Sequence, residues 1–106
     1  MPKISEISPL HLMEGIAGKY VHGQQMTFGL VEITEGTIMP QHQHKHEQIT
    51  YVLEGQLNMV IDGTLCVLTA GNYYVIASNT MHGAHAITAC KLIDVFCPVR
   101  EAYKTS

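Results

Sequence analysis

The sequence predicts an all-β fold, and three observations carry the prediction. From Tyr20 onward the chain is a succession of short runs rich in Val, Ile, Thr and Tyr. Glycines at 23, 36, 55, 63, 71 and 83 break these runs. No segment reads as a clear helix. Short strands separated by turn residues bury one face each, and sheet on sheet, as a sandwich or barrel, is how such a chain completes a core.

In chain order, Pro2 to Gly18 has mixed periodicity with room for one turn of helix, and is expected to serve as an edge strand or lid. Gln25 to Thr34 reads as one strand, and Gln48 to Leu53 and Leu57 to Ile61 as two more. Asp62-Gly63 is a tight-turn signal, so Thr64 to Leu68 follows as the return strand of a hairpin. Tyr73 to Ile76 and Cys90 to Phe96 complete the set.

At 106 residues with 46% hydrophobic content, residues 1–106 are expected to form one domain that needs no disulfide to fold. The charged fraction is 14% and the formal net charge −3, so a phosphate backbone finds no basic footprint and nucleic-acid binding is excluded. Cationic attachment to a membrane is disfavoured on the same ground, and no apolar run approaches the roughly 18 residues of a spanning helix. The N-terminal residues are polar and include Pro2 where a signal peptide needs an apolar core. Cys66, Cys90 and Cys97 are odd in number, lack CxxC spacing and sit among apolar neighbours, which suits reduced, buried thiols in a cytoplasmic protein.

Seven histidines in so short a chain are the strongest chemical signal. In GTIMPQHQHKHEQITYVLEG, His42 and His44 are two residues apart, so on an extended strand both imidazoles leave one face. Gln48 keeps that parity, subject to a turn near Lys45 to Glu47. His82, in GNYYVIASNTMHGAHA, would close a mononuclear site of imidazoles plus oxygen, a donor set suited to Fe, Mn, Ni, Co or Zn. His46 is assigned to a solvated turn, with surplus or substitute ligand as the other option. His11, His22 and His85 are read as surface or hydrogen-bonding residues.

At these residues the chain resembles the cupin superfamily. That family's first motif runs Gly, five residues, His-x-His, three or four residues, Glu, six residues, Gly, and here Gly36, His42, His44 and Gly55 fall on those positions. Its second runs Gly, five residues, Pro-x-Gly, two residues, His, three residues, Asn. Gly71 and His82 match it, whereas Ala77, Asn79 and Ala86 do not. The motifs span residues 36–86, and the resemblance implies the cupin double-stranded β-helix, a jelly-roll barrel. Gln48 occupies the family's Glu position, with Glu47 one residue out of step. By the resemblance, His42, His44, Gln48 and His82 hold one divalent transition-metal ion. Three imidazoles and an amide leave its charge uncompensated, which favours anionic ligands.

A second constellation lies in KLIDVFCPVREAY. Asp94 and Phe96 share strand parity and Arg100 follows just past Pro98, so an acid, an aromatic and a guanidinium come close together. Asp94 and Arg100 could simply pair at a strand end. In an apolar barrel mouth, Asp could instead transfer protons and Arg grip a carboxylate. Gln48, the run His82 to Ala84 and the Asp-Val-Phe-x-Pro-x-Arg string together resemble the pectin-degradation cupins of the KdgF type, which convert cyclic 4,5-unsaturated monouronates to 5-keto-4-deoxyuronate. The likeness implies Asp94, Phe96 and Arg100 as a catalytic wall, a small acidic carbohydrate as substrate, and a ring-opening isomerase activity. The competing readings are a metal-dependent cupin dioxygenase and a non-catalytic small-molecule-binding cupin. A homodimer is expected, since small cupins associate through their sheets and an exposed edge strand invites pairing.

Overall fold

A computed structural model describes residues 1–104. Its strands are β1 (Leu10–Met13), β2 (Ile16–His22), β3 (Thr27–Ile33), β4 (Ile38–His42), β5 (Glu47–Glu54), β6 (Gln56–Ile61), β7 (Thr64–Thr69), β8 (Tyr73–Ile76), β9 (His82–Ala86) and β10 (Cys90–Cys97). Single 3₁₀ turns sit at Ile4–Glu6 and Glu101–Tyr103. Two antiparallel sheets result, one of six strands in the order β1-β2-β3-β10-β5-β8 and one of four in the order β4-β9-β6-β7. They enclose a single apolar core, giving the expected all-β jelly roll.

Alternation of side chains builds that core. On β5, Gln48, Thr50 and Val52 point inward while Glu47, Ile49, Tyr51 and Leu53 point out. On β10, Leu92 and Phe96 are buried on the same inward face that carries Asp94. Ile16, Val31, Val52, Ile76 and Leu92 are almost fully buried, each contributing about 1.5–3 kcal/mol of hydrophobic stabilisation. The Asp62-Gly63 turn has φ of 48° and 77°, the left-handed pair that a two-residue hairpin requires.

The six strand runs read from sequence appear within two residues of their expected ends, and β1 is the expected edge strand. The remainder of the N-terminal region departs from expectation, because Ile16–His22 is a full inner strand paired with β3 along its whole length. Strands β4 and β9 also escape the propensity reading. β9 is the small-residue run HGAHA, and β4 contains Pro40, which a strand tolerates because β4 is the outermost member of its sheet. Cys90 is buried as expected, but Cys66 is only half-buried and Cys97 is exposed. Cys97 sits at the outward parity of β10, one residue past buried Phe96. Among the described residues, no helix is long and apolar enough to cross a membrane.

Candidate metal centre and its acidic wall

Strand register brings His42 and His82 together: they are direct partners across β4 and β9. The pairing slips between Met39 and His42, and this irregularity re-aims the end of β4. β4 stops at His42, so the expectation that one extended strand carries both His42 and His44 fails. His44 lies on the bend between β4 and β5, and its imidazole reaches the same point from there. Ring centroids are 5.7 Å apart for His42 and His44, 4.3 Å for His42 and His82, and 4.9 Å for His44 and His82. One ligand nitrogen from each lies within 4.8 Å of the other two.

The backbone fixes which nitrogen each ring offers. The Nδ1 of His42 lies 2.9 Å from the Pro40 carbonyl, that of His44 3.0 Å from the His46 carbonyl, and that of His82 2.8 Å from the Thr80 carbonyl. Carbonyl oxygens only accept, so each Nδ1 carries a proton and Nε2 is the nitrogen left to face a metal. Among the described residues, buried His82 Nε2 has no hydrogen-bond partner. Burial, reinforced by the Arg100 charge, lowers the His44 pKa to about 4, and burial lowers that of His82 as well. Three carbonyl-oriented imidazoles with converging Nε2 atoms are the donor set of a divalent transition metal.

Gln48 extends this set. Its side-chain oxygen is 3.1 Å from His44 Nε2, while its amide nitrogen donates to Thr50 Oγ1 at 2.9 Å and to Asp94 Oδ1 at 3.2 Å. The two donations orient the amide so that its oxygen faces the histidines. Neighbouring Glu47 is exposed on the opposite face of β5, so strand parity turns its carboxylate away from this cluster. His46 is buried rather than solvated as expected. Its ring packs edge-on to Phe96, so the bend folds inward there. His11 and His85 are exposed, and half-buried His22 bonds Thr27 Oγ1 at 2.9 Å.

Asp94, Phe96 and Arg100 line the same cavity as the three histidines and Gln48. Asp94 Oδ1 also accepts a hydrogen bond from Thr50 Oγ1 at 2.7 Å. Desolvation raises the Asp94 pKa to about 6, against the opposing pull of the Thr50 and Gln48 hydrogen bonds and the Arg100 charge. The simple ion pair between Asp94 and Arg100 does not form: among the described residues the salt bridges are Lys91–Glu32 and Lys104–Glu101. The Arg100 guanidinium instead lies 5.3 Å from the Phe96 ring centroid and 4.5 Å from that of Tyr103. Its Nε is buried without a partner among the described residues. Thr50, Tyr20 and Tyr103 complete the wall and were not among the residues predicted for the site. Thr50 has a sequence signal, its shared parity with Gln48, whereas Tyr20 and Tyr103 are joined to the site only through tertiary packing.

Comparison with known proteins follows the same lines. A family model described as Cupin domain matches residues 29–96. Over 72 residues, 66% of each chain, the sequence is 38% identical to the Pectin degradation protein KdgF of Dickeya dadantii (strain 3937). The solved structure of KdgF from Halomonas sp. superposes with a TM-score of 0.88 at 30% identity, covering 94% of both chains. An RmlC-like cupin from Shewanella frigidimarina NCIMB 400 gives 0.89 at 28% identity, covering 94% of this chain and 91% of that one. Ectoine synthase from P. lautus, at 18% identity and a TM-score of 0.83 over 93% of this chain and 78% of its own, shares the fold.

Proposed function

The chain belongs to the cupin domain family, and from that premise we propose that it is a metal-dependent isomerase that linearises 4,5-unsaturated monouronates to 5-keto-4-deoxyuronate in pectin or alginate breakdown. The observation that carries this reading is the content of one cavity: three converging histidine nitrogens, beside an aspartate and an arginine that form no ion pair with each other. The 38% identity to a pectin degradation protein supports the same substrate class. His42, His44 and His82, with the Gln48 side-chain oxygen, would hold the ion. When bound, it supplies Lewis-acid stabilisation of negative charge on substrate oxygens.

The protein side chains divide the remaining work. The partnerless Arg100 Nε–H, with the rest of the guanidinium fork, binds the uronate carboxylate. Phe96 presents an apolar flank that keeps water from the ring. The reaction is an isomerisation with a closed proton balance. The bond from C1 to the ring oxygen breaks, the anomeric hydroxyl loses a proton as C1 becomes an aldehyde, and C4 gains one as the C5 enol becomes a ketone. Asp94, poised at a pKa of about 6, can accept the first proton and donate the second.

The test pairs elemental analysis with loss of absorbance at the enol-ether band of an unsaturated monouronate, for wild type, His44→Ala and Asp94→Asn. The expected result is metal-dependent acceleration in wild type, loss of both metal and rate in His44→Ala, and loss of rate with retained metal in Asp94→Asn. Metal-loaded wild type without acceleration refutes the assignment, and oxygen uptake in its place identifies an oxygenase. For the assembly we propose a homodimer, for which the outer face of the six-stranded sheet, with exposed Phe28, Ile49, Tyr51 and Val75, is the candidate surface. Light scattering at one or two chain masses decides. The proposed compartment is the cytoplasm, to which three free thiols are suited.

A further inference from the structure

Two glycines inside strands clear the space for one tyrosine. Gly18 and Gly29 occupy strand interiors, where a missing side chain weakens packing. A Cβ at either position would collide with the Tyr20 ring. Tyr20 pairs with Gly29 across β2 and β3, and Gly29 pairs with Asp94 across β3 and β10. The ring thus covers the gap that Gly29 leaves beside Asp94, as an aromatic does when it shields a strand glycine.

From this seat Tyr20 meets Tyr103, with ring centroids 4.7 Å apart and planes tilted by 45°. Tyr103 holds Arg100 in two ways: Arg100 Nη2 donates to its hydroxyl at 3.1 Å, and the guanidinium carbon lies 4.5 Å from its ring centroid. The Arg100 backbone is fixed separately, its N–H donating to buried Thr27 Oγ1 at 2.8 Å. What remains to be set is the direction of the guanidinium, which lies between Tyr103 and the Phe96 ring 5.3 Å away, and Tyr103 is in turn braced by Tyr20. Tyr20, Arg100 and Tyr103 all lie outside the residues matched by the cupin family model.

We propose that Tyr20 is a positioning residue: seated on Gly18 and Gly29 and packed against Tyr103, it fixes the direction of the Arg100 guanidinium and so the affinity for the substrate carboxylate. The carboxylate part of this inference rests on the functional reading above, whereas the effect on Arg100 does not.

The experiment therefore reads both. Arg100 is the single arginine of the chain, so its Nε–H gives one unambiguous signal in a nitrogen-15 NMR spectrum. In Tyr20→Leu, and in Gly29→Ala, where the added methyl displaces the ring, that signal is expected to move and its hydrogen exchange to accelerate about tenfold. KM for the unsaturated uronate is expected to rise about tenfold with kcat changed far less, the signature of weakened binding rather than altered chemistry. Tyr20→Phe, which keeps the stack, should leave the Arg100 signal and its exchange close to wild type. An unmoved Arg100 signal in Tyr20→Leu and Gly29→Ala overturns the proposal, and if Tyr20→Leu does not fold, Gly29→Ala decides. If wild type turns over no unsaturated uronate, the functional reading falls while the Arg100 signal still judges Tyr20.

Discussion

The two halves of the cavity are built by opposite means. On the histidine side every ring is aimed by a carbonyl two residues away in the chain: Pro40 for His42, His46 for His44, Thr80 for His82. On the acidic side the contacts span most of the sequence, from Thr50 to Asp94 and from Thr27 to Arg100. The first half is a set of local devices that strand register only has to bring together. The second exists only once β10 has inserted between β3 and β5. The geometry of the candidate metal site is therefore written in short segments, and that of the proposed acid and base in the tertiary fold.

Removing a histidine should break the comparison most severely. His82→Ala deletes a buried nitrogen at the centre of the triad and is expected to abolish metal binding and turnover together, as read by elemental analysis and the uronate assay. Its acidic wall should stay folded, because no hydrogen bond of Asp94 or Arg100 runs through His82 among the described residues.

Gln48 is where the halves touch, its oxygen on His44 and its nitrogen on Asp94. Gln48→Glu should tighten metal binding by adding a negative ligand. It also replaces a donor to Asp94 with a like charge, which raises the Asp94 pKa further. The pH–rate profile is expected to shift to higher pH, and an unmoved profile would show the two halves to be electrostatically independent.

The smallest effect is on stability in the metal-free protein, where the halves have opposite signs. His44 titrates at about 4 when folded and near 6.5 when unfolded, so acidification through that window protonates the unfolded chain first and destabilises the fold. Asp94 titrates at about 6 when folded against 3.8, so it favours the fold below about pH 4, and that contribution is lost as pH rises through 6. Between pH 4 and 6 the two slopes oppose. Asp94→Asn removes one of them, and its stability should fall on acidification more steeply than that of wild type by about 1.4 kcal/mol per pH unit. Denaturant melts at pH 4, 5 and 6 measure this directly.

The same division explains what the sequence discloses. His42, His44 and His82 stand out by their number and spacing, and Gln48 by its place in the motif between His44 and Gly55, although the shared strand expected for His42 and His44 ends at His42. Asp94, Phe96 and Arg100 share one short string, so their proximity is also legible. Their lack of an ion pair is not, since it depends on Tyr103 drawing the guanidinium toward its own ring. Tyr20 is hidden for the same reason: its connection to the site runs through Gly29, a residue whose contribution is an absence. His46 misleads because polar neighbours on either side suggest solvent, while its ring turns inward against Phe96.

Pro40 carries one more consequence. It lies on β4, the outermost strand of the four-stranded sheet. Its carbonyl is taken by His42 Nδ1, and as a proline it has no amide hydrogen. At that point the strand offers an approaching chain no donor, and its acceptor is already engaged. Edge-to-edge pairing, the standing hazard of an open sheet, is thus weakened at the rim that bears a candidate ligand, by the same residue that aims it.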